Sequence, residues 1–229
     1  MSSKIVIEYS ILFSSDYHIG TGLGISGIID DILYRDSKGR LVIPGSTMKG
    51  IIRDACEDIA DILGIKHCQG KLIKGKGLCF DKPCILCLIF GSPFTPSHFK
   101  FEDARRRDEF YKIMGILNKE IRYQEFLSRV EFHNSINEET GTAKEGFLYS
   151  YELGKKSEKF IGYIKEIIPI KNKDEALSLI IAGLRFISHI GGKRRRGKGR
   201  CEIKIEKIND GSIKVEDVLN KLKNFVNKE

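Results

Sequence analysis

Ile43-Pro44-Gly45-Ser46-Thr47-Met48-Lys49-Gly50-Ile51-Ile52-Arg53 is the stretch on which the fold turns, because an extended segment gives way here to a helix. Leu41-Val42-Ile43 closes a short strand, and the Pro-Gly pair ends it. Ser46 then reads as the N-cap, its hydroxyl accepting one of the orphan N–H groups of the first turn. Apolar residues at 51, 52, 55, 59, 62 and 63 keep helical spacing and mark a face turned toward a sheet. Lys49 and Arg53, four residues apart, share another face. Two cations therefore stand beside a helix N-terminus whose free N–H groups and dipole also favour an anion, which reads as a phosphate site.

Working outward, Ile5, Ile7, Tyr9, Ile11 and Phe13 alternate as a first strand. His18-Ile-Gly-Thr-Gly-Leu-Gly-Ile-Ser-Gly follows, with glycine at 20, 22, 24 and 27, a composition suited to a loop. A strand over Ile28 to Tyr34 and a Ser37-Lys38-Gly39 turn lead back to Leu41. On the other side, residues 64–100 lose periodicity and read as a surface insertion. A helix is expected from Arg105 to Gly115, and strands over Arg129–Asn134 and Phe147–Glu152 flank a polar excursion, Ser135 to Gly146, as in a long hairpin. A strand over Lys159–Ile168, a helix over Asp174–Ile190 and a strand over Cys201–Glu206 complete an α+β pattern. At 229 residues one core with insertions is expected.

The last helix and strand are joined by Gly191-Gly-Lys-Arg-Arg-Arg-Gly-Lys-Gly-Arg200, six cations among glycines in ten residues. Glycine lets main-chain N–H groups approach a ligand, and Lys193, Arg194, Arg195, Arg196, Lys198 and Arg200 supply the field, so a polyanion such as a phosphate backbone is the expected partner. The net charge of +8 agrees, while saying nothing of fold.

Four of the six cysteines fall between positions 68 and 87. Cys84-x-x-Cys87 with Cys79 forms a metal knuckle, and either His67 or Cys68 supplies the fourth ligand. Lysines and glycines fill the gap between ligands, too poor in apolar residues to fold unaided, so a structural Zn2+ is expected in a reducing compartment. No apolar run is long enough to cross a bilayer, and the N-terminus lacks a signal-peptide core, which reads as cytoplasmic with no membrane partner.

Asp30-Asp31 ends the glycine-rich loop, and such a pair can hold a divalent ion beside a phosphodiester. Asp30 is the catalytic candidate, with Asp31 as its alternate. His18 and His189 each precede a glycine-rich loop and are acid-base candidates. The dinucleotide, Walker and nucleophile-elbow signatures are missing.

His18-Ile-Gly-Thr-Gly, Gly27-Ile-Ile-Asp30, Ile43 to Arg53, Leu88-Ile-Phe-Gly91 and the late Gly/Arg loop occur in an order that resembles the RAMP superfamily of CRISPR proteins, most of all the backbone subunit of type III effector complexes. The resemblance implies a modified ferredoxin-like, RRM-related palm. It places a zinc-binding lid segment at 64–100 and a thumb-like β-hairpin at 129–150 within one domain, 1–229. It implies head-to-tail copies along a guide RNA, a complementary target RNA and other effector subunits as partners. His18, Ser46, Lys49, Arg53 and the six late cations then contact RNA, and Asp30 supports target cleavage with a divalent ion such as Mg2+. Arg35 follows Asp30 at the family's distance, whereas Ile32 stands where the family often has proline. Two other readings follow from the same residues: a structural RNA-binding filament subunit without cleavage, and a stand-alone endoribonuclease that processes guide precursors through His18 or His189.

Overall fold

The computed structural model describes residues 4–68, 79, 82–107 and 128–226. The lysine- and glycine-rich gap between Cys68 and Cys79 lies outside these residues, as does 108–115 of the helix expected from Arg105 to Gly115, whose first residue instead ends a strand, with 106–107 irregular. Among the described residues, eight strands form two sheets: β1 (Val6–Phe13), β2 (Val42–Ile43), β3 (Phe99–Phe101), β4 (Ala104–Arg105), β5 (Ser128–Ile136), β6 (Ala143–Gly154), β7 (Lys159–Glu166) and β8 (Cys201–Ile208). Four helices are described, here numbered α1 (Gly45–Ile62), α2 (Ile85–Phe90), α3 (Lys173–Phe186) and α4 (Val215–Val226).

The main sheet runs β2-β4-β7-β1-β8, with β3 also pairing with β7, and every pairing in it is antiparallel. The alternating residues of β1 earn its central place, since Ile7, Tyr9, Ile11 and Phe13 are all buried. Helices α1 and α3 pack together, close enough that a methyl group on Gly183 would strike the Cys56 sulfur. Ile52, Ile59, Leu177, Ile180, Ile181 and Leu184 join them to the sheet in one core. Helix α4, unforeseen in the sequence, closes on α3, where the Ser178 hydroxyl donates to the Val218 carbonyl at 2.8 Å.

Several boundaries differ from the sequence expectation. Helix α1 begins at Gly45 and its N-cap is Pro44, so Ser46 is an exposed residue of the first turn rather than the cap. The orphan N–H of Gly45 is satisfied from outside, by the Asp103 carboxylate at 2.9 Å. Glycine is required at 45 because a Cβ there would collide with the Phe101 carbonyl. Helix α3 stops at Phe186 instead of Ile190, and Ile187 is extended with ψ 119°. Ile187 and Ile190 are buried as the helical spacing suggests, yet they lie on an extended leg that pairs with the segment before β8. Spacings of three residues serve both geometries when the chain bends between them. Ile28 to Tyr34 forms isolated pairs, Ile25 with Ile29, Asp31 with Tyr151 and Leu33 with Gly20, in place of a strand.

Strands β5 and β6 form the second sheet, an antiparallel hairpin with a register shift between Asn134 and Ile136. It is longer than the two short strands expected. Its base is fastened to the glycine-rich loop by Tyr17 N–H to Gly154 O, 3.0 Å, and Glu152 N–H to Asp31 O, 2.9 Å.

Candidate nucleic-acid interface

Three segments distant in sequence meet at the base of the hairpin: the glycine-rich loop, strand β6 and the late basic loop. Asp30 is exposed, and one of its carboxylate oxygens accepts the Ser150 N–H at 2.7 Å. Asp31 is more enclosed, with one oxygen taking the Gly22 N–H at 3.1 Å and the other 2.9 Å from His18 Nε2. His18 is only 4% exposed, and its Nδ1 lies 2.7 Å from the Glu152 carbonyl. A carbonyl and a carboxylate both accept, so each ring nitrogen faces an oxygen acceptor. Glycine at 20 is what admits this pair, since a Cβ would sit against both the His18 ring and the Asp31 carboxylate. His18, expected on RNA, is therefore an internal brace whose two nitrogens face protein acceptors.

Glu152 anchors the same loop from β6. Its carboxylate accepts the Leu33 N–H at 3.0 Å, the Arg35 guanidinium and the Ser128 hydroxyl. Burial opposes ionisation of Glu152, but Arg35, Ser128 and the Leu33 N–H outweigh it and hold the carboxyl below its usual range. The sequence reading missed Ser150 and Glu152. The signal was present: alternation along β6 puts both on one face, and a glutamate within a largely apolar strand asks for a partner.

The late loop folds back on this assembly. Gly192 N–H donates to the His18 carbonyl at 2.8 Å and Gly199 N–H to Asp16 at 2.8 Å. A single 3-10 turn, Arg194–Arg196, is bracketed by Lys193 and Gly197 in left-handed conformation. The cations divide. Lys198 pairs with Glu131 at 2.8 Å, Arg196 bonds the Tyr149 hydroxyl, and Lys193 Nζ sits 4.6 Å from the centre of the Tyr151 ring. Arg194 donates to the Gly191 carbonyl at 3.0 Å, and Arg195 and Arg200 are exposed.

Lys49 and Arg53 are not in this place. Arg53 bonds Glu57 at 2.8 Å and reaches the Gly91 carbonyl at 3.3 Å, on the flank of α1 facing α2. The other flank, Ile51, Asp54, Ala55 and Asp58, lines an open groove of about 440 Å3 with His189, Arg194 and Arg195. The two basic segments thus occupy different sides of one helix. The anion met by the start of α1 is the chain's own Asp103.

The cysteines converge as well. Cys68, Cys79, Cys84 and Cys87 place their sulfurs within 4.8 Å of one another, an arrangement that could hold a metal ion. Cys68 Sγ lies 3.8 Å from Cys84 Sγ and 3.2 Å from Cys87 Sγ. His67 stands outside the group, with Nδ1 3.0 Å from the Ile65 carbonyl. Burial pushes the Cys87 thiol up, and the neighbouring sulfurs add to the rise.

Residues 11–202 match the family model of the RAMP superfamily. The chain belongs to that superfamily. Among curated relatives, the "CRISPR system Cms endoribonuclease Csm3" of Methanocaldococcus jannaschii is 27% identical over 223 residues, covering 91% of this chain and 82% of the relative. Among solved structures, a chain of the apo type III-B Cmr-beta complex superposes with a TM-score of 0.62 at 17% identity, over 88% of this chain and 97% of the other. A chain of the same complex bound to cognate target RNA gives 0.61 at 16% identity, over 93% and 98%. These superpositions establish a shared mixed α+β fold. Among the described residues, no helix is long and apolar enough to cross a membrane.

Proposed function

We propose that this chain is a guide-RNA-binding backbone subunit of a type III CRISPR effector complex, copied head to tail along the guide, with Asp30 supporting cleavage of the paired target RNA. The observation that carries the reading is that the acidic loop and the Lys193–Arg200 loop are both fastened to strand β6 at the base of one hairpin, Asp30 through Ser150 and Lys193 and Arg196 through Tyr151 and Tyr149. Cations there engage the ribose-phosphate strand, and the same strand β6 holds the acid. The relative named an endoribonuclease and the complex bound to target RNA point the same way.

On this reading the strand order β8-β1-β7-β4 with α1 and α3 is the modified ferredoxin-like palm, the β5–β6 hairpin is the thumb, and residues 64–100 are a zinc-held insertion in one domain, working in the cytoplasm. Zinc fits the cysteines, because sulfurs about 2.3 Å from a tetrahedral ion stand roughly 3.8 Å apart. A dication at their centre offsets the cost of ionising buried thiols. Cys68, Cys79, Cys84 and Cys87 would hold it, leaving His67 aside.

Magnesium fits the acidic loop in a looser way, since such ions are held by one or two carboxylates together with substrate phosphates. Asp30 would be the protein's ligand, and the bound ion would supply charge stabilisation at the scissile phosphate. The chain's own part is positioning. Ser150 fixes the Asp30 carboxylate, while His18, Gly22 and Glu152 hold Asp31 and the loop behind it.

Asp30→Ala in the reconstituted complex tests this: target cleavage is expected to vanish with assembly and guide content intact. Unchanged cleavage removes the enzymatic half. The hydrogen bond from Ser150 to Asp30 favours a second reading, in which Asp30 ties the hairpin to the loop and the subunit is purely structural. Burial of His18 weighs against a stand-alone processing enzyme that uses it as acid-base group.

A further inference from the structure

We propose that Arg53 is the outer charge partner of the cysteine cluster, a positioning residue that offsets the negative charge of the metal-bound thiolates and so raises the affinity for zinc, a reading that rests on the zinc-held insertion above. Four thiolates around a dication leave a net double negative charge. Much of it is enclosed here, since Cys87 is fully buried on α2 and Cys68, Cys79 and Cys84 are half-buried. Away from bulk water such a charge calls for a cation nearby, because the solvent that would screen it has been removed.

Arg53 is placed for that task. It stands on the flank of α1 that faces α2, and its guanidinium joins two partners, Nε donating to Glu57 at 2.8 Å and Nη1 to the Gly91 carbonyl at 3.3 Å. Gly91 caps α2 and donates its own N–H to the Cys87 carbonyl at 2.8 Å, so Arg53 grips the turn that follows directly on the last cysteine. The sulfurs of Cys87 and Cys68, 3.2 Å from each other, lie within electrostatic reach of the guanidinium. Burial works against its charge, Glu57 restores it, and the two sulfurs add to it.

The pair with Glu57 does not account for this by itself. An ion pair one helical turn apart contributes little, and it asks for no bond to α2. A phosphate strand fits Arg53 less well than the sulfurs do, because the side chain is only 24% exposed and two of its nitrogens already donate within the chain. The arrangement makes one prediction that a purely structural Arg53 does not. Glu57 holds the guanidinium but opposes its field at the sulfurs, so removing the two charges has opposite consequences for the metal.

The test measures zinc affinity of the full chain by competition with a chromophoric chelator, alongside the absorption spectrum of the cobalt(II)-loaded chain. Arg53→Gln, which removes the charge and keeps an amide donor, is expected to weaken zinc binding by about tenfold or more, as loss of an outer partner does at other metal sites. Its cobalt spectrum should remain that of a tetrahedral thiolate site. Arg53→Lys should recover the greater part of the affinity, and Glu57→Gln should hold or tighten it. Wild-type affinity in Arg53→Gln overturns the proposal, and so does a changed cobalt spectrum, which would mean a lost ligand. Weakening by Glu57→Gln as large as that by Arg53→Gln overturns it too, because the pair would then act only by bracing the helix. Should Arg53→Gln fail to fold, the lysine and Glu57 variants decide by the same signs. If the wild-type chain binds no zinc, the zinc-held insertion itself falls, and the role of Arg53 falls with it.

Discussion

The start of α1 and the late basic loop present the same chemistry in sequence, glycines with cations around them, yet the fold uses them in opposite ways. At α1 the anion-seeking groups are satisfied within the chain: Asp103 takes the Gly45 N–H, and Glu57 and the Gly91 carbonyl take Arg53. In the late loop Arg195 and Arg200 point outward, while Lys193, Arg196 and Lys198 lie against strands of the hairpin. The difference lies in what surrounds each segment. A strand-to-helix junction is crowded by neighbouring strands that bring carboxylates, whereas a loop between α3 and β8 has an open side. A basic motif reports a capacity for anions, and only the fold decides whether the anion is internal.

If the α1 flank is structural, its integrity depends on the cysteine cluster beside Arg53, and this gives the largest expected effect. Cys84→Ser with Cys87→Ser should abolish zinc binding, read as metal content by native mass spectrometry. It should also lower the melting temperature by roughly 2–4 °C for each kcal/mol of stability lost. Neutralising the late loop should leave both quantities unchanged. Retention of one zinc per chain by the double serine variant would remove the thiolate site.

The second way to sharpen the comparison is salt dependence. Each phosphate contact to single-stranded nucleic acid contributes about −0.7 to the slope of log affinity against log salt. Arg195→Ala with Arg200→Ala should flatten the slope by about 1.4. Lys49→Ala with Arg53→Ala should change it less, because Arg53 is already paired with Glu57. An equal change from the two double variants would mean that both segments face the same strand after all.

The elements legible in the sequence were those whose period-two or helical pattern ends in a core. Strand β1, the body of α1, the second half of β6 and β8 follow their buried residues, because burial is what writes the pattern, whereas β5 alternates without a fully buried residue. The acidic and basic loops were legible as composition, and the convergence of cysteines as spacing. What stayed hidden depends on contacts between distant segments. The bonds of His18 to Asp31 and to the Glu152 carbonyl span 13 and 134 residues, and no local pattern encodes them. Ser46 looked like a cap because serine often is one, but Asp103 reaches the helix start from beside the neighbouring strand β4. Ile187 and Ile190 kept a helical spacing while lying on an extended leg, since burial alone does not record backbone geometry.

The smallest effect concerns acid, and it separates the anchors of the two loops at the hairpin. Glu152 holds the acidic loop and Glu131 holds Lys198 of the basic one, and both carboxyls lie below their usual range. At Glu131, burial is outweighed by the hydrogen bond and charge of Lys198, with Arg129 and His133 adding to it. A carboxyl whose pKa is lower folded than unfolded contributes stability in full above the unfolded value, about 4.3, and loses it as pH falls through the folded one. Denaturation midpoints should therefore decline as the pH is taken below about 4.3. Glu152→Gln should be less stable near neutrality, since Arg35 loses its charged partner, yet show a shallower decline in acid. Glu131→Gln should flatten the decline less, because its carboxyl is the more accessible of the two, with side-chain exposure of 22% against 8%. Identical acid slopes for wild type and Glu152→Gln would show that the hairpin is fastened by its main-chain bonds to Tyr17 and Asp31, with Glu152 a passenger.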